Sequence, residues 1–384
     1  MNTIKKETIK QFLEYENGPC VSLYMPTHRA GQEIRQNSIR LKNLISDAEE
    51  KLVKQGLRAP DAKKILKPAS DLIDDEFFIM HQNVGLAMFL SKDKFEEYRL
   101  PVDFTENVFV NDRFHIKPLI PLLSEGERFY ILALSKNEVR LFHCTMNTIT
   151  EVELKDVPTS MQEALGYEEY QKHLQLHTET AQLGRFNRQA VYHGQGTPEE
   201  DIKKDIKRYF HRVADGLTNY LHNEDVPLII AAVDYLHPIY KESANYTNIL
   251  KNGINGNPEE MKPKELYDRA IGEVKDYYDR NRQEAINEYE HFSGAGNASN
   301  ELQTILKGAE SGRVKQLFVE LEQYIWGKYD SSKNVFITHE EKEKGDEDLL
   351  DLAAAFTIMN NGRVFALVRD KMPDDSPVAA VFRY

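Results

Sequence analysis

Two cysteines in 384 residues, Cys20 and Cys144, are too few for a disulfide framework or a thiolate metal site. Both fall inside apolar, strand-like runs, which predicts reduced and buried packing residues. No wholly apolar run exceeds six residues, as at 228–233, whereas crossing a bilayer takes roughly 20. Met1, Lys5, Lys6 and Glu7 carry no apolar leader core, so a cytoplasmic location without a membrane partner is expected. Basic charge is scarce overall: 49 Lys and Arg against 62 Asp and Glu leave a formal net charge of −13. That sign excludes a nucleic-acid coat held by overall attraction, and any RNA contact has to be local. No phosphate-binding loop of the Walker type and no dinucleotide fingerprint is present, so no cofactor is expected. What remains, 41% apolar and 29% charged, describes a soluble globular chain of two or three domains at roughly 150 residues each.

Hydropathy patterning divides the chain. A short helix and an apolar strand at 20–25 come first, the strand broken by Pro26, which cannot donate a ladder hydrogen bond. Between 35 and 55, Leu41, Leu44, Ile45, Ala48 and Leu52 recur at three-and-four spacing and predict a helix. Its polar face would carry Arg35, Asn37, Arg40 and Asn43. Strand candidates at 84–90, 95–100 and 108–110 complete an α+β domain over 1–124, closed by the polar Ser124, Glu125, Gly126 and Glu127. A middle domain over 125–256 opens as a meander at 129–134, 139–144 and 148–154, then runs through a helix at 198–222 into a buried strand at 228–233. Three strands followed by α, β, α is the order of a ribonuclease-H-like mixed sheet. The turn-rich stretch from Asn252 to Pro258 marks the next boundary. The last domain, 257–384, reads as a long charged helix at 262–289 and a small α/β sandwich: helices at 300–308 and 346–359, strands at 314–319, 335–338, 363–369 and 378–382. The acidic, lysine-rich stretch 340–348 is expected as an exposed loop and helix start. The fold class is therefore α/β (α+β), in three domains.

Chemistry concentrates between Gly184 and His211. A stretch holding Gly184, Arg185, Arg188, His193, Gly194, Gln195 and Gly196 is too glycine-rich and cationic to pack, yet it joins two helical segments, so it should project. Its end is marked by Thr197 as N-cap, Pro198 at the first helical position and Glu200 completing a capping box. The helix that follows should bury Ile202, Ile206, Tyr209, Val213, Leu217 and Tyr220, leaving Lys203, Lys204, Lys207, Arg208, His211 and Arg212 on another arc. From Ala181 to Val213, seven Lys or Arg stand against four carboxylates, a local +3 that reverses the sign of the whole chain.

These residues carry a resemblance. Met25-Pro26 after a Ser-Leu-Tyr strand, a middle domain beginning Phe-Tyr-Ile-Leu-Ala-Leu, a projecting His-Gly-Gln-Gly before a basic helix, and Gly-Arg-Val at 312–314 resemble the archaeo-eukaryotic peptide-chain release factor and Pelota superfamily, in its bacterial branch. The likeness extends over the three-domain order, with a C-terminal domain similar to kink-turn-binding ribosomal proteins. It implies binding at the ribosomal A site against ribosomal RNA and peptidyl-tRNA, with a translational GTPase as a further partner and no metal or cofactor. The family's loop carries Gly-Gly-Gln; here His193 stands at the first position and Gly194 and Gln195 at the next two. Carried over, Gly194 permits a positive φ that a Cβ would penalise. Gln195 acts by position, because an amide is no base, and a backbone N–H meets developing charge. Arg185, Arg188, Lys203, Lys204, Lys207, Arg208 and Arg212 would meet RNA. So would His28 and Arg29, in the region where family members inspect the decoding centre; stop-codon-reading motifs are absent there. The implied function is peptidyl-tRNA hydrolysis on stalled or non-translating ribosomes. The alternative is a non-catalytic A-site binder acting in rescue or hibernation, and a third reading is a regulatory protein that has left the ribosome.

Blander readings stand beside these. Gly-Gln occurs twice, at 31–32 and 194–195, so only the setting of the second distinguishes a catalytic loop from a recognition loop or an ordinary turn. The cationic arc also fits a solvated face paired with Glu199, Glu200 and Asp205. His173 and His177 would share a helix face but lack a third ligand. Asp234 with Asp215 or Glu127 would suggest a two-metal nuclease, but the strand at 129–134 carries no acid.

Overall fold

The computed structural model describes residues 4, 6–15, 17–28, 31, 33–123, 128–145, 148–166, 198–221, 226–294, 296–330, 332–333 and 335–384. Two compact units form: Met1–Ser124 together with Asn281–Tyr384, and Glu125–Arg280.

The first segment runs α1 (Lys6–Leu13), β1 (Cys20–Pro26), α2 (Ile34–Lys54), α3 (Ala59–Asp71), α4 (Glu76–Met80), β2 (Gly85–Leu90), β3 (Phe95–Leu100), β4 (Asn107–Asn111) and α5 (Ile120–Leu123). Its strands form an antiparallel sheet in the order β3-β2-β1-β4. Side chains alternate across a strand, and here both faces are apolar. Val21, Leu23 and Met25 of β1, with Leu86, Met88 and Leu90 of β2, pack under Leu41, Leu44, Ala48 and Leu52 of α2 and Ile65 and Leu66 of α3. Tyr24, Ala87 and Phe89 point the other way, into a core containing Phe12 of α1 and Phe114. The outer edge of β4 is blunted: Lys51 Nζ donates to the Val108 carbonyl at 2.9 Å and Gln55 Nε2 to the Val110 carbonyl at 2.7 Å.

The middle of the chain builds a five-stranded sheet from β5 (Arg128–Leu134), β6 (Val139–Thr145), β7 (Ile149–Val152), β8 (Leu228–Ala232) and β9 (Ile254–Asn255), in the order β7-β6-β5-β8-β9. β5 is antiparallel to β6 and parallel to β8, and β8 is parallel to β9. α6 (Met161–Leu165), α7 (Pro198–Leu221) and α8 (Leu236–Ser243) cover the face bearing Tyr130, Leu132 and Leu134. The other face, with Phe129, Ile131 and Ala133, lies under Leu266, Ala270, Val274 and Tyr278 of α9 (Pro263–Phe292). Those four are spaced by four residues, the single stripe a helix on a sheet needs. Further along α9, Ala285 and Tyr289 pack with residues of the last segment.

That segment carries β10 (Ala298–Ser299), α10 (Leu302–Glu310), β11 (Val314–Glu320), β12 (Trp326–Asp330), β13 (Val335–His339), β14 (Glu347–Asp348), α11 (Leu349–Met359), β15 (Arg363–Leu367) and β16 (Val378–Phe382). A mixed sheet in the order β10-β16-β11-β15 packs on α10 and α11, and β13-β12-β14 forms a separate three-stranded sheet. Leu306, Leu317, Leu350 and Ala354 share one core with Phe12, Phe89 and Phe114, so the core on the second face of the first sheet runs on into residues from the far end of the sequence.

A buried polar network accompanies that core. Asp351, 1% exposed, accepts the backbone N–H of Ile116 at 2.8 Å and of Lys117 at 2.6 Å, and pairs with Arg113 at 2.7 Å. Lys117 Nζ, fully buried, meets Asp348 Oδ2 at 2.8 Å, donates to the Gln323 carbonyl and sits 4.2 Å from the centre of the Tyr324 ring. Asp348 also caps α11 by accepting from Leu350 N at 3.1 Å. Two expectations are thereby corrected. The stretch 340–348 is not wholly exposed, because Asp346 and Asp348 are buried by their pairing with His339 and Lys117, and the helix begins at Leu349 instead of 346. Asn37, placed by sequence on the polar face of α2, is 1% exposed and bonded to the backbone of His28, just past the first strand.

His115 stacks on Phe109 at 3.6 Å within this network, and neither ring nitrogen makes a hydrogen bond. Burial holds its pKa well below the usual 6.5; Asp348 opposes this, while Lys117 and Arg113 reinforce it. The unfolded chain therefore takes up this proton more readily than the folded one. Its contribution to stability is complete above pH 6.5 and is lost as pH falls below that, by about 1.4 kcal/mol per unit. In urea titrations at pH 7.5 and 5.5, wild type should lose more stability than His115→Gln; equal losses would contradict the assignment.

Candidate functional site

Of the residues singled out by sequence, His193, Gly194, Gln195, Gly196, Arg185, Arg188 and Arg29 lie outside the described residues, as do Thr197, His173, His177 and Glu127. What is described is the helix they lead into and the sheet edge beside it. α7 begins at Pro198, as the capping pattern predicts. Ile206, Tyr209, Phe210, Val213, Ala214 and Leu217 are buried along it, with Ile202 and Tyr220 partly so.

The basic residues of α7 divide by environment. Lys203, Lys204, Arg208, His211 and Arg212 are exposed, and Lys207 is half-buried. Lys207 Nζ pairs with Glu242 at 3.3 Å, His211 Nδ1 lies 3.1 Å from the Ser243 carbonyl, and the Arg212 guanidinium donates to the Ala164 carbonyl. Thus Lys207 and Arg212 help seat α7 on its neighbours, α8 and α6. The Tyr209 hydroxyl donates to the Ser135 carbonyl at 3.3 Å, just past the end of β5, and burial pushes its pKa up. Since α7 leads into β8, the turns before Tyr209 rise beyond the carboxyl edge of β5 and β8, taking Lys203 and Lys204 with them. Asp215 on α7 and Asp234 after β8 are both exposed.

A second region surrounds His28. Asn37 clamps this turn: its Oδ1 accepts His28 N–H and its Nδ2 donates to the His28 carbonyl, both at 3.0 Å. Thr27 N–H reaches the Val84 carbonyl at 2.7 Å and Thr27 Oγ1 the Asn83 carbonyl at 2.9 Å. Arg40 sits beneath, donating to the Pro26 carbonyl at 3.3 Å, lying 3.3 Å from His28 Nε2 and pairing with Glu106 at 2.9 Å. A cleft of about 810 Å³ opens here, its lining including Thr27, His28, Arg40, Asp103, Glu106 and Glu322. Its wall at Phe104 is fixed by Gly85, where a Cβ would lie 2.1 Å from the Val102 carbonyl and 2.6 Å from the Phe104 ring. With Arg40 already paired to Glu106 and two further carboxylates in the lining, the cleft suits a ligand with both donors and acceptors better than a bare phosphate. Sequence spacing gave no sign of the clamp by Asn37 or of Glu322. The only hint was Pro26 stopping β1 ahead of a polar triplet.

Comparison with known proteins gives the following. Residues 129–276 match the family model described as bacterial archaeo-eukaryotic release factor family 7. No curated protein matches the chain. Among solved structures, the chain is similar to an archaeal translation termination factor, aRF1, at 14% identity over 100% of this chain and 99% of that one, with a TM-score of 0.24. It is similar to ribosome-bound archaeal Pelota with ABCE1 at 12% identity over 100% and 95%, TM-score 0.37. Pelota of Archaeoglobus fulgidus follows at 10% identity over 78% and 79%, TM-score 0.26. The matched stretch takes in β5 to β9, α7 and the first half of α9, and it is over this stretch that the chain is similar to the bacterial archaeo-eukaryotic release factor family.

Proposed function

We propose that the protein is a ribosome-associated, release-factor-like factor that hydrolyses peptidyl-tRNA on stalled or non-translating ribosomes. The observation that carries this reading is the family match over 129–276, because that stretch holds both the His193-Gly194-Gln195-Gly196 run and the basic helix it leads into. In this reading the chain keeps the order 1–124, 125–256 and 257–384 as decoding-like, loop-bearing and C-terminal domains. It meets ribosomal RNA and peptidyl-tRNA in the A site, with a translational GTPase as escort.

Gly194 lets the backbone at the loop tip adopt a positive φ, and Gln195 orders or excludes water at the ester. A backbone N–H stabilises the oxyanion. Lys203, Lys204 and Arg208, exposed on α7, face the RNA. His28 adds a contact from the clamped turn, and Arg29 follows it.

On purified ribosomal complexes carrying labelled peptide, Gly194→Ala should reduce release by roughly 100-fold or more, while Gln195→Ala leaves residual hydrolysis. Full release by the Gly194→Ala protein would remove the catalytic assignment. A second reading, a non-catalytic A-site binder, is favoured by one observation: His193 occupies the place of the family's first glycine. In that case the wild-type protein co-sediments with ribosomes in a steeply salt-dependent manner and releases nothing.

A further inference from the structure

Among the described residues of the second unit, Tyr235 is the one large hydrophobic side chain left exposed, at 52%. It follows the carboxyl end of β8 and caps α8. Lys136, which follows the carboxyl end of the neighbouring parallel strand β5, places its Nζ 5.6 Å from the centre of the Tyr235 ring. The carboxyl edge of parallel strands is where open α/β sheets bind ligands, and it is also the edge past which Lys203 and Lys204 rise.

The pair is held firmly. Ser135 Oγ accepts the N–H groups of Asn137 and Glu138, each at 2.9 Å, and the Lys136 carbonyl accepts Met161 N–H at 2.8 Å. On the other side, Leu236 N–H bonds the Val233 carbonyl at 2.9 Å, fixing the turn that presents Tyr235. A rigid aromatic face beside an ammonium, on the side of the sheet where a basic helix emerges, is the combination that binds unpaired nucleotides: the base stacks on the ring and the cation meets the phosphate. A protein partner would demand a broader apolar patch than this single ring.

We infer that Tyr235 and Lys136 form a stacking site for one unpaired nucleotide of an RNA strand, an extension of the RNA surface on α7. This rests on the RNA-binding part of the proposed function. The probe is a fluorescein-labelled unpaired RNA decamer, with binding followed by anisotropy at several salt concentrations. Tyr235→Phe should bind within about twofold of wild type, while Tyr235→Ala and Tyr235→Leu should each lose roughly ten-fold, as one base–aromatic stack requires. Tyr235→Leu keeps the apolar bulk and so guards against a folding defect in the alanine variant. Lys136→Ala should lower the salt slope by about 0.7, one phosphate's share for a single strand.

Wild-type affinity in Tyr235→Leu overturns the inference, as does the absence of decamer binding by the wild-type protein. Crosslinking from a photoreactive residue at 235 on ribosomes to protein instead of RNA overturns it as well. If wild type pellets with ribosomes but binds no decamer, this inference fails and the functional reading stands. Tyr235-dependent decamer binding without ribosome association gives the reverse.

Discussion

Asp351→Ala is expected to lower the unfolding free energy by about 3–5 kcal/mol, the loss found when one member of a buried ion pair is removed. Three donors converge on this carboxylate: the N–H groups of Ile116 and Lys117 and the guanidinium of Arg113. The Arg113 side chain is only 16% exposed, so without Asp351 its charge retains Glu347 alone, at 2.8 Å. The two backbone N–H groups would be left without an acceptor in a place water does not reach. Asp351→Asn keeps one acceptor but turns an amide N–H toward a donor, and should fall between wild type and alanine. The measurement is urea unfolding, read as a fall in midpoint with unchanged slope. A loss under about 1 kcal/mol would mean that the pair behaves like one on the surface.

The second large effect concerns the first segment by itself. Residues 1–124 look like a domain in sequence, yet the core on one face of their sheet, begun by Phe12 and Phe114, is completed by residues beyond 281. Expressed alone, 1–124 would uncover the Phe109 ring, which lies against Tyr324, and the apolar sides of α1 and α5, which meet α11 and β15, an exposed apolar surface of the kind that drives aggregation. We expect that fragment to be insoluble, or to bind a hydrophobic dye strongly and melt without cooperativity. Co-expression with 281–384 should restore a soluble complex that unfolds in a single transition. A soluble, cooperatively melting 1–124 would show that the shared core is dispensable.

That dependence also marks the limit of what patterning reveals. Strands 129–134, 228–233 and 378–382, and helices 35–55, 198–222 and 262–289, appear within a few residues of their expected places, because each is a long apolar run or a clear stripe. β12 (Trp326–Asp330) escaped notice because its sequence, Trp-Gly-Lys-Tyr-Asp, shows no apolar alternation; what makes it a strand is pairing with β13 and β14. α3 was missed because Pro68 lies inside it, a residue that ordinarily ends a helix. The unbroken burial of β1 and β2 was visible as an apolar run, but a run cannot name its covering partners, and the core it joins extends into residues some 200 positions downstream. Asp348 reads as part of an exposed loop for the same reason: its partner Lys117 is remote in sequence. At the candidate site, composition located the basic helix and its start. It could not show that Lys207 pairs with Glu242 or that Arg212 donates to the Ala164 carbonyl. Tyr235 was invisible to it, since one tyrosine after an apolar strand looks like any other core residue.

The shared core has a consequence for synthesis. A nascent chain emerges from the amino end, so the first sheet leaves the exit tunnel while the strands and helices that complete its shared core have not been translated. About 260 further residues must be added before the last of them appears, roughly 13–50 s at common elongation rates. Throughout that interval the young protein would hold an open greasy surface close to the polysome, and chaperone capture at that stage should be heaviest on the amino-terminal third.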